Sequence, residues 1–151
     1  MSMRALVQRV HDASVSPEGY KSRSIKKGLC IFIGISNSDK EEQIRYLVNK
    51  IINLRIFPDK DKKERFHLSV KDIKGELLIV SQFTLYASTR KGKRPSFSEA
   101  AKPEIASNIF SKTIKEFKLS GLKVETGIFG ANMNVKINNY GPLTLIIDSK
   151  N

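Results

Sequence analysis

Two short unbroken apolar runs constrain this chain more than any other feature. Leu29-Cys30-Ile31-Phe32-Ile33-Gly34-Ile35 and Leu77-Leu78-Ile79-Val80 are too short for typical helices and rich in branched side chains, so they read as strands buried on both faces. Strands of that kind need cover above and below their sheet, and 151 residues suffice to build it around one core. No internal repeat, low-complexity tract or Pro/Gly/Ser linker divides the sequence, so a single domain over residues 1–151 is expected.

The remaining segments supply the cover. Arg4 to Val15 reads as a long strand, Ser16-Pro17-Glu18-Gly19 as a turn, and a second short strand runs towards Ile25. Ser38-Asp39-Lys40-Glu41 has capping-box spacing, and Ile44, Leu47, Val48, Ile51 and Ile52 recur at helical spacing to about Leu54. Residues Asp59 to Arg65 mix both charges and read as a solvated loop. The second apolar run extends as a strand from Glu76 to Tyr86 and carries Ser81-Gln82-Phe83-Thr84-Leu85 at its end. Pro103 suits a helical first turn; Ile105, Ala106, Ile109, Phe110, Thr113 and Phe117 line one face until Gly121 stops the helix. Met133, Val135 and Ile137 alternate with polar residues, and Asn139-Tyr140-Gly141-Pro142 is expected to turn the chain into Leu143 to Ile147. Six or seven strands and two main helices make an α/β chain of the α+β type, a curved barrel-like sheet covered by helices rather than a βαβ repeat.

Composition narrows the function. With 40% hydrophobic and 28% charged residues the chain has a globular balance, which excludes intrinsic disorder. No apolar stretch reaches the roughly 18 to 20 residues of a membrane span, and no signal-peptide core precedes the polar residues of the N-terminus; a soluble, cytoplasmic protein is expected. The single Cys30 forms no internal disulfide, and with only His11 and His67 beside it a metal site lacks ligands. Neither GxxxxGK[ST] nor GxGxxG is present, so no cofactor is expected. A formal charge of +12 points to a polyanionic partner, although a Lys-, Ile- and Asn-rich genome also produces basic proteins.

The charge is locally concentrated. Ser88-Thr89-Arg90-Lys91-Gly92-Lys93-Arg94-Pro95 holds four cations and no acid, and four phosphate contacts on single-stranded RNA give a log–log salt slope of about −3. The bland alternative is a solvated basic loop; its place just after a strand end favours the ligand-binding reading. Ser81 and Thr84 offer hydroxyls at that strand end, yet no general base accompanies them, so a Ser-His-Asp relay has no support and strand-end hydrogen bonding is the simpler reading. Cys30, inside an apolar run, reads as a small buried side chain rather than a reactive thiol.

Five blocks together resemble the D-aminoacyl-tRNA deacylases: Met3 to Val10 with Ala13-Ser14-Val15, Ser81 to Leu85, Gly92 to Phe97, Thr126-Gly127-Ile128-Phe129-Gly130-Ala131, and Asn139 to Thr144. They occur in the family's order over essentially the whole chain. The resemblance implies a homodimer that hydrolyses the ester linking a D-amino acid to the 3′-terminal adenosine of tRNA, without cofactor, membrane or DNA. It implies that Ser81, Gln82, Phe83 and Thr84 line the catalytic pocket. It further implies that Gly141-Pro142 carries a cis peptide and reaches into the partner subunit's site, where it excludes L side chains, and that Arg9 holds that pair. Arg90, Lys91, Lys93 and Arg94, with Phe129, Ala131 and Met133, are then expected to contact the substrate. Rejection of L rather than selection of one side chain implies action on several D-amino acids and on glycyl-tRNA. Thr84 as nucleophile and assistance by the substrate's ribose 2′-hydroxyl are both open for such a family, and the missing base favours the second. Two departures stand out: Leu143 replaces the usual valine, and Tyr140 occupies a position where aspartate is often found. The rival class is a non-catalytic RNA- or DNA-binding module in which Phe83, Phe97 and Phe129 stack on bases, though their apolar neighbours suit a core role. A metal-dependent hydrolase is a weaker third option for want of ligands.

Overall fold

In a computed structural model, residues 2–150 are described. The elements run β1 (Arg4–Pro17), β2 (Arg23–Ile25), β3 (Gly28–Gly34), α1 (Glu41–Asn53), β4 (Glu76–Ser81), a 3-10 turn (Phe83–Tyr86), α2 (Pro103–Lys118), β5 (Val124–Thr126) and β6 (Met133–Asp148).

Both apolar runs are central strands. In β3, Leu29, Ile31 and Ile33 join Met3, just before β1, and Ala5 and Val7 of β1 in a core with Leu47, Ile51 and Phe117 of the helices. Cys30 faces the other way, into a second cluster with Val10, Ala13, Val15, Leu78 and Val80 inside the curl of the sheet. Period-two alternation puts successive side chains on opposite faces, and here both faces are apolar because both are covered. Strand β3 approaches β4 so closely at Gly28 that an added Cβ would lie 1.8 Å from the Glu76 carbonyl oxygen.

The sheet order is β2-β1-β3-β4-β5, with β6 paired to β1 as well. Strand β1 is the spine: its first half pairs antiparallel with β3, its second half with β2, and nearly its whole length with β6. At the far side Arg23 Nη1 of β2 donates to the Thr126 carbonyl of β5 at 2.9 Å, so the sheet curls into a nearly closed barrel. The expected α+β, barrel-like architecture with two covering helices is what the chain adopts.

Four details differ from the sequence reading. Strands β3, β4 and β5 are parallel and joined through α1 and α2, so two βαβ crossovers sit inside the α+β frame; the three-residue β5 was too short to signal itself. The strand from Glu76 ends at Ser81, and Phe83 to Tyr86 form a 3-10 turn. Helix α1 starts two residues later than the Ser38 spacing indicated: Lys40 N–H donates to Gln43 Oε1 at 2.8 Å, while Asp39 Oδ2 accepts from Ser36 N–H at 2.7 Å. Ile105, assigned to the apolar face of α2, is exposed.

The largest difference lies in β6. Asn139 to Pro142 do not turn the chain. Pairing with β1 continues in the same direction on both sides, but Gln8 pairs Thr144 and Val10 pairs Asn139, so residues 140–143 bulge out opposite Arg9 alone. A bulge of this kind re-aims side chains without ending the strand.

Candidate active site

The end of β4 positions the site. Gln82 N–H donates to the Ile33 carbonyl at 2.8 Å, fixing the start of the turn against β3. Leu85 N–H returns to the Gln82 carbonyl at 3.3 Å and Ala87 N–H to the Thr84 carbonyl at 3.1 Å. Within the turn Gln82 Nε2 donates to Thr84 Oγ1. The Thr84 oxygen thus accepts from an amide N–H, a group that cannot take up the hydroxyl proton.

Beside this turn opens a cleft of about 600 Å³. Its lining comes from Ser81, Gln82 and Phe83 at the end of β4, from Phe129, Gly130 and Ala131 of the β5–β6 connection with Met133 at the start of β6, and from Ala101, Pro103 and Ala106 around the start of α2. No side chain among the lining residues is titratable. Of the residues the sequence singled out, the structure gathers Ser81, Gln82, Phe83, Phe129, Ala131 and Met133 on this cleft, and Thr84 stands one residue outside its lining. Phe83 is 56% exposed, which corrects its assignment to the core. Phe129 keeps a foot in the core, its ring centroid 6.2 Å from that of Phe110.

The basic loop rises from the rim. Ser88 and Ser96 exchange backbone hydrogen bonds of 2.8 and 2.9 Å, closing the loop at its base, and Arg90, Lys91, Lys93 and Arg94 are exposed above it. Phe97, directly after the closure, packs edge to face on Phe83 with centroids 5.0 Å apart. The four cations do not line the cleft.

Neither do Arg9, Gly141 and Pro142. The Gly141-Pro142 peptide is cis, and Gly141 has φ +120°; both residues are exposed on the bulge of β6. A Cβ on Gly141 would stand 2.6 Å from Arg9 Nη2, and L side chains rarely adopt its φ, so the position favours glycine. Arg9 is buried, donating from Nε to the Tyr140 carbonyl at 3.2 Å and from Nη1 to the Ile56 carbonyl at 2.7 Å. A buried charge persists only with such partners, and each carbonyl left unpaired would cost about 1–3 kcal/mol. Burial pushes the Tyr140 phenol above its ordinary pKa, against the pull of the Arg9 charge.

Comparison with known proteins gives this arrangement its relatives. A family model described as D-Tyr-tRNA(Tyr) deacylase matches residues 6–148. The chain belongs to that family. A D-aminoacyl-tRNA deacylase of Aquifex aeolicus is 55% identical over 148 residues, spanning 98% of this chain and 99% of its own. One of Clostridium botulinum (strain Alaska E43) is 54% identical over 147 residues, 97% of each. Among solved structures, one titled c-Myc DNA Unwinding Element Binding Protein is similar at TM-score 0.88 and 37% identity, covering 95% of this chain and 97% of that one. A probable eukaryotic D-amino acid tRNA deacylase shares the fold at TM-score 0.88 and 16% identity, covering 98% of this chain and all of its own.

As a deacylase-family chain, it places its motif residues at the cleft, on the basic loop beside it and around the bulge of β6 with Arg9. Sequence reasoning missed Ile35, Ala100, Ala101, Ala106, Asn132 and Val135 on the cleft wall. Apart from the polar Asn132 they are small or apolar, and the patterns that mark some of them as core or strand residues do not mark them as lining a cleft. Among the described residues no helix is long and apolar enough to cross a membrane.

Proposed function

We propose that this protein hydrolyses the ester bond between a D-amino acid and the 3′-terminal adenosine of tRNA, releasing free D-amino acid and tRNA. The observation that carries the chemistry is the cleft at Ser81 to Phe83, large enough for an aminoacyl group and lined by no titratable side chain. Such a cleft binds, orients and excludes bulk water, but it cannot take a proton. The base-like assistance then falls to the substrate's own ribose 2′-hydroxyl, which adjoins the ester. Thr84, its oxygen engaged by Gln82, serves to shape the turn rather than to attack. An attacking water supplies the oxygen of the released carboxyl group and the proton taken up by the ribose 3′ oxygen, and holding ester, hydroxyl and water in a reactive geometry is itself a large contribution, since well-oriented groups reach effective molarities of about 10⁵ M or more.

Chirality is set from outside the cleft. Gly141-Pro142 sits exposed on its bulge, away from the cleft of its own subunit, which suits insertion into the cleft of a second copy. Main-chain groups placed beside the α-carbon collide with an L substituent and leave a D substituent free. Rejection of this kind needs no pocket fitted to one side chain, so several D-aminoacyl-tRNAs and glycyl-tRNA are substrates. It also makes the homodimer the working form, as isologous pairing places each corner in the other's site. The exposed Arg90, Lys91, Lys93 and Arg94 at the cleft rim supply phosphate contacts along the acceptor end, and Phe129, Ala131 and Met133 contact the aminoacyl-adenosine. The place of such a reaction is the cytoplasm, where aminoacyl-tRNA is made.

The test is release of D-tyrosine from D-tyrosyl-tRNA by purified protein, with L-tyrosyl-tRNA as comparison and with protein pretreated with EDTA in parallel. Release from the D ester alone, unchanged by EDTA treatment, is expected. Tight tRNA binding without release would instead support the nucleic-acid-binding module. Light scattering should give the mass of a dimer, and a fully active monomer would overturn the shared site.

A further inference from the structure

We propose that Tyr140 and His11 are positioning residues that hold Gly141-Pro142 in place and thereby set how strictly L-amino acids are rejected. The proposal rests on the chiral role assigned above to Gly141-Pro142. Residues 140–143 have no ladder partner on β1, so the sheet itself does not fix the corner. Its neck is tied by Asn139, whose Nδ2 donates to Thr144 Oγ1 at 3.0 Å and whose Oδ1 accepts from Leu143 N–H at 3.2 Å.

The residue just before the glycine is held through its ring. The Arg9 guanidinium carbon lies 4.3 Å from the Tyr140 ring centroid, and the His11 imidazole stacks on the same ring with centroids 4.0 Å apart and planes 17° from parallel. Two groups so close to one ring leave it no freedom to turn. The Tyr140 hydroxyl, by contrast, is buried with no hydrogen-bond partner among the described residues. A buried hydroxyl without a partner is a cost rather than a restraint, so the ring and not the oxygen anchors the segment. His11 is exposed while Arg9 is buried, which makes the imidazole the outer cover of the stack. Arg9 also grips the Tyr140 carbonyl, joining ring and main chain of this residue to one guanidinium.

A collision-based filter depends on placement. An error of about 1 Å in a group's position can alter a rate roughly 100-fold, and loosening the corner raises L cleavage while leaving the cleft's handling of the D ester intact. The experiment compares single-turnover rates on D- and L-tyrosyl-tRNA for the wild-type protein, His11→Ala, Tyr140→Ala, His11→Phe, Tyr140→Phe and Pro142→Ala, with a thermal melt of each. In His11→Ala and Tyr140→Ala the D-to-L rate ratio should fall about 10-fold or more through faster L cleavage, the D rate staying within about threefold. The two phenylalanine variants, which keep a ring to stack, should keep the wild-type ratio. An unchanged ratio in both alanine variants while Pro142→Ala lowers it would overturn the clamp alone. D and L rates falling together would also overturn it, as a folding role. An unchanged ratio in Pro142→Ala as well would remove the chiral role of the corner, and the proposal with it.

Discussion

Phe83 and Phe97 meet edge to face, ring centroids 5.0 Å apart and planes at 71°. One ring belongs to the turn at the end of β4, the other follows directly on the closure of the basic loop. The contact means that the loop is rooted at the cleft while its charges stand clear of it, so the binding and the chemistry proposed above should be separable by mutation.

Neutralising Arg90, Lys91, Lys93 and Arg94 together should therefore weaken tRNA binding and lower the magnitude of its log–log salt slope by up to about 3. The rate at saturating substrate should change little. Binding titrations at several salt concentrations check this, and an unaltered slope would leave the loop as ordinary solvated surface.

Thr84→Ala should retain substantial deacylation, because loss of a covalent nucleophile removes orders of magnitude of rate whereas loss of a turn-shaping hydroxyl does not. A substrate ending in 2′-deoxyadenosine should suffer more. A dead Thr84→Ala protein that is matched by normal turnover of the deoxy substrate would reverse the assignment.

Acid should loosen the start of β1 from the end of β6. Burial pushes the Asp148 carboxyl up, but hydrogen bonds from the Ser2 side chain, the Lys150 amide and Arg4, with the Arg4 charge, outweigh it and hold its pKa below the ordinary value. A depressed folded pKa contributes stability that is present above about 3.9, the ordinary aspartate value, and is lost as pH falls through the folded value. Urea unfolding at neutral and acid pH should show that Asp148→Asn is less stable than wild type at neutrality, with the difference shrinking in acid.

Cys30 should resist thiol reagents. Burial pushes its pKa up to about 12, so at neutral pH almost none is thiolate, the nucleophilic form. Labelling by a disulfide reagent should be absent in native protein and complete in denaturant; rapid stoichiometric reaction of the folded form would contradict the burial.

The sequence made some of this visible and concealed the rest for identifiable reasons. Leu29 to Ile35 announced a doubly covered strand because both alternating faces are apolar, and α1 and α2 announced themselves by periodicity. Val124 to Thr126 did not, since three residues carry no period. The Asn139 to Pro142 segment has the composition of a turn, and only its pairing partners reveal a bulge in a continuing strand. The motif residues of the cleft were legible through resemblance, whereas Ala106 was not, because a small residue on a helix looks the same wherever it faces. Tyr140 stood out only as an exception to a pattern; its stacking on His11 joins residues 129 positions apart in the chain, beyond the reach of any local signal.

A cleft without titratable lining has no protonation state of its own to lose. Enzymes that work through a paired acid and base fall off on both sides of an optimum, each limb reporting one group. Here neither limb has an owner in the cleft, so turnover at saturation should follow the reactivity of the ester and its neighbouring hydroxyl with pH, rising without a summit until the fold or the tRNA fails. The proposed filter at Gly141-Pro142 likewise presents main-chain groups that carry no charge of their own.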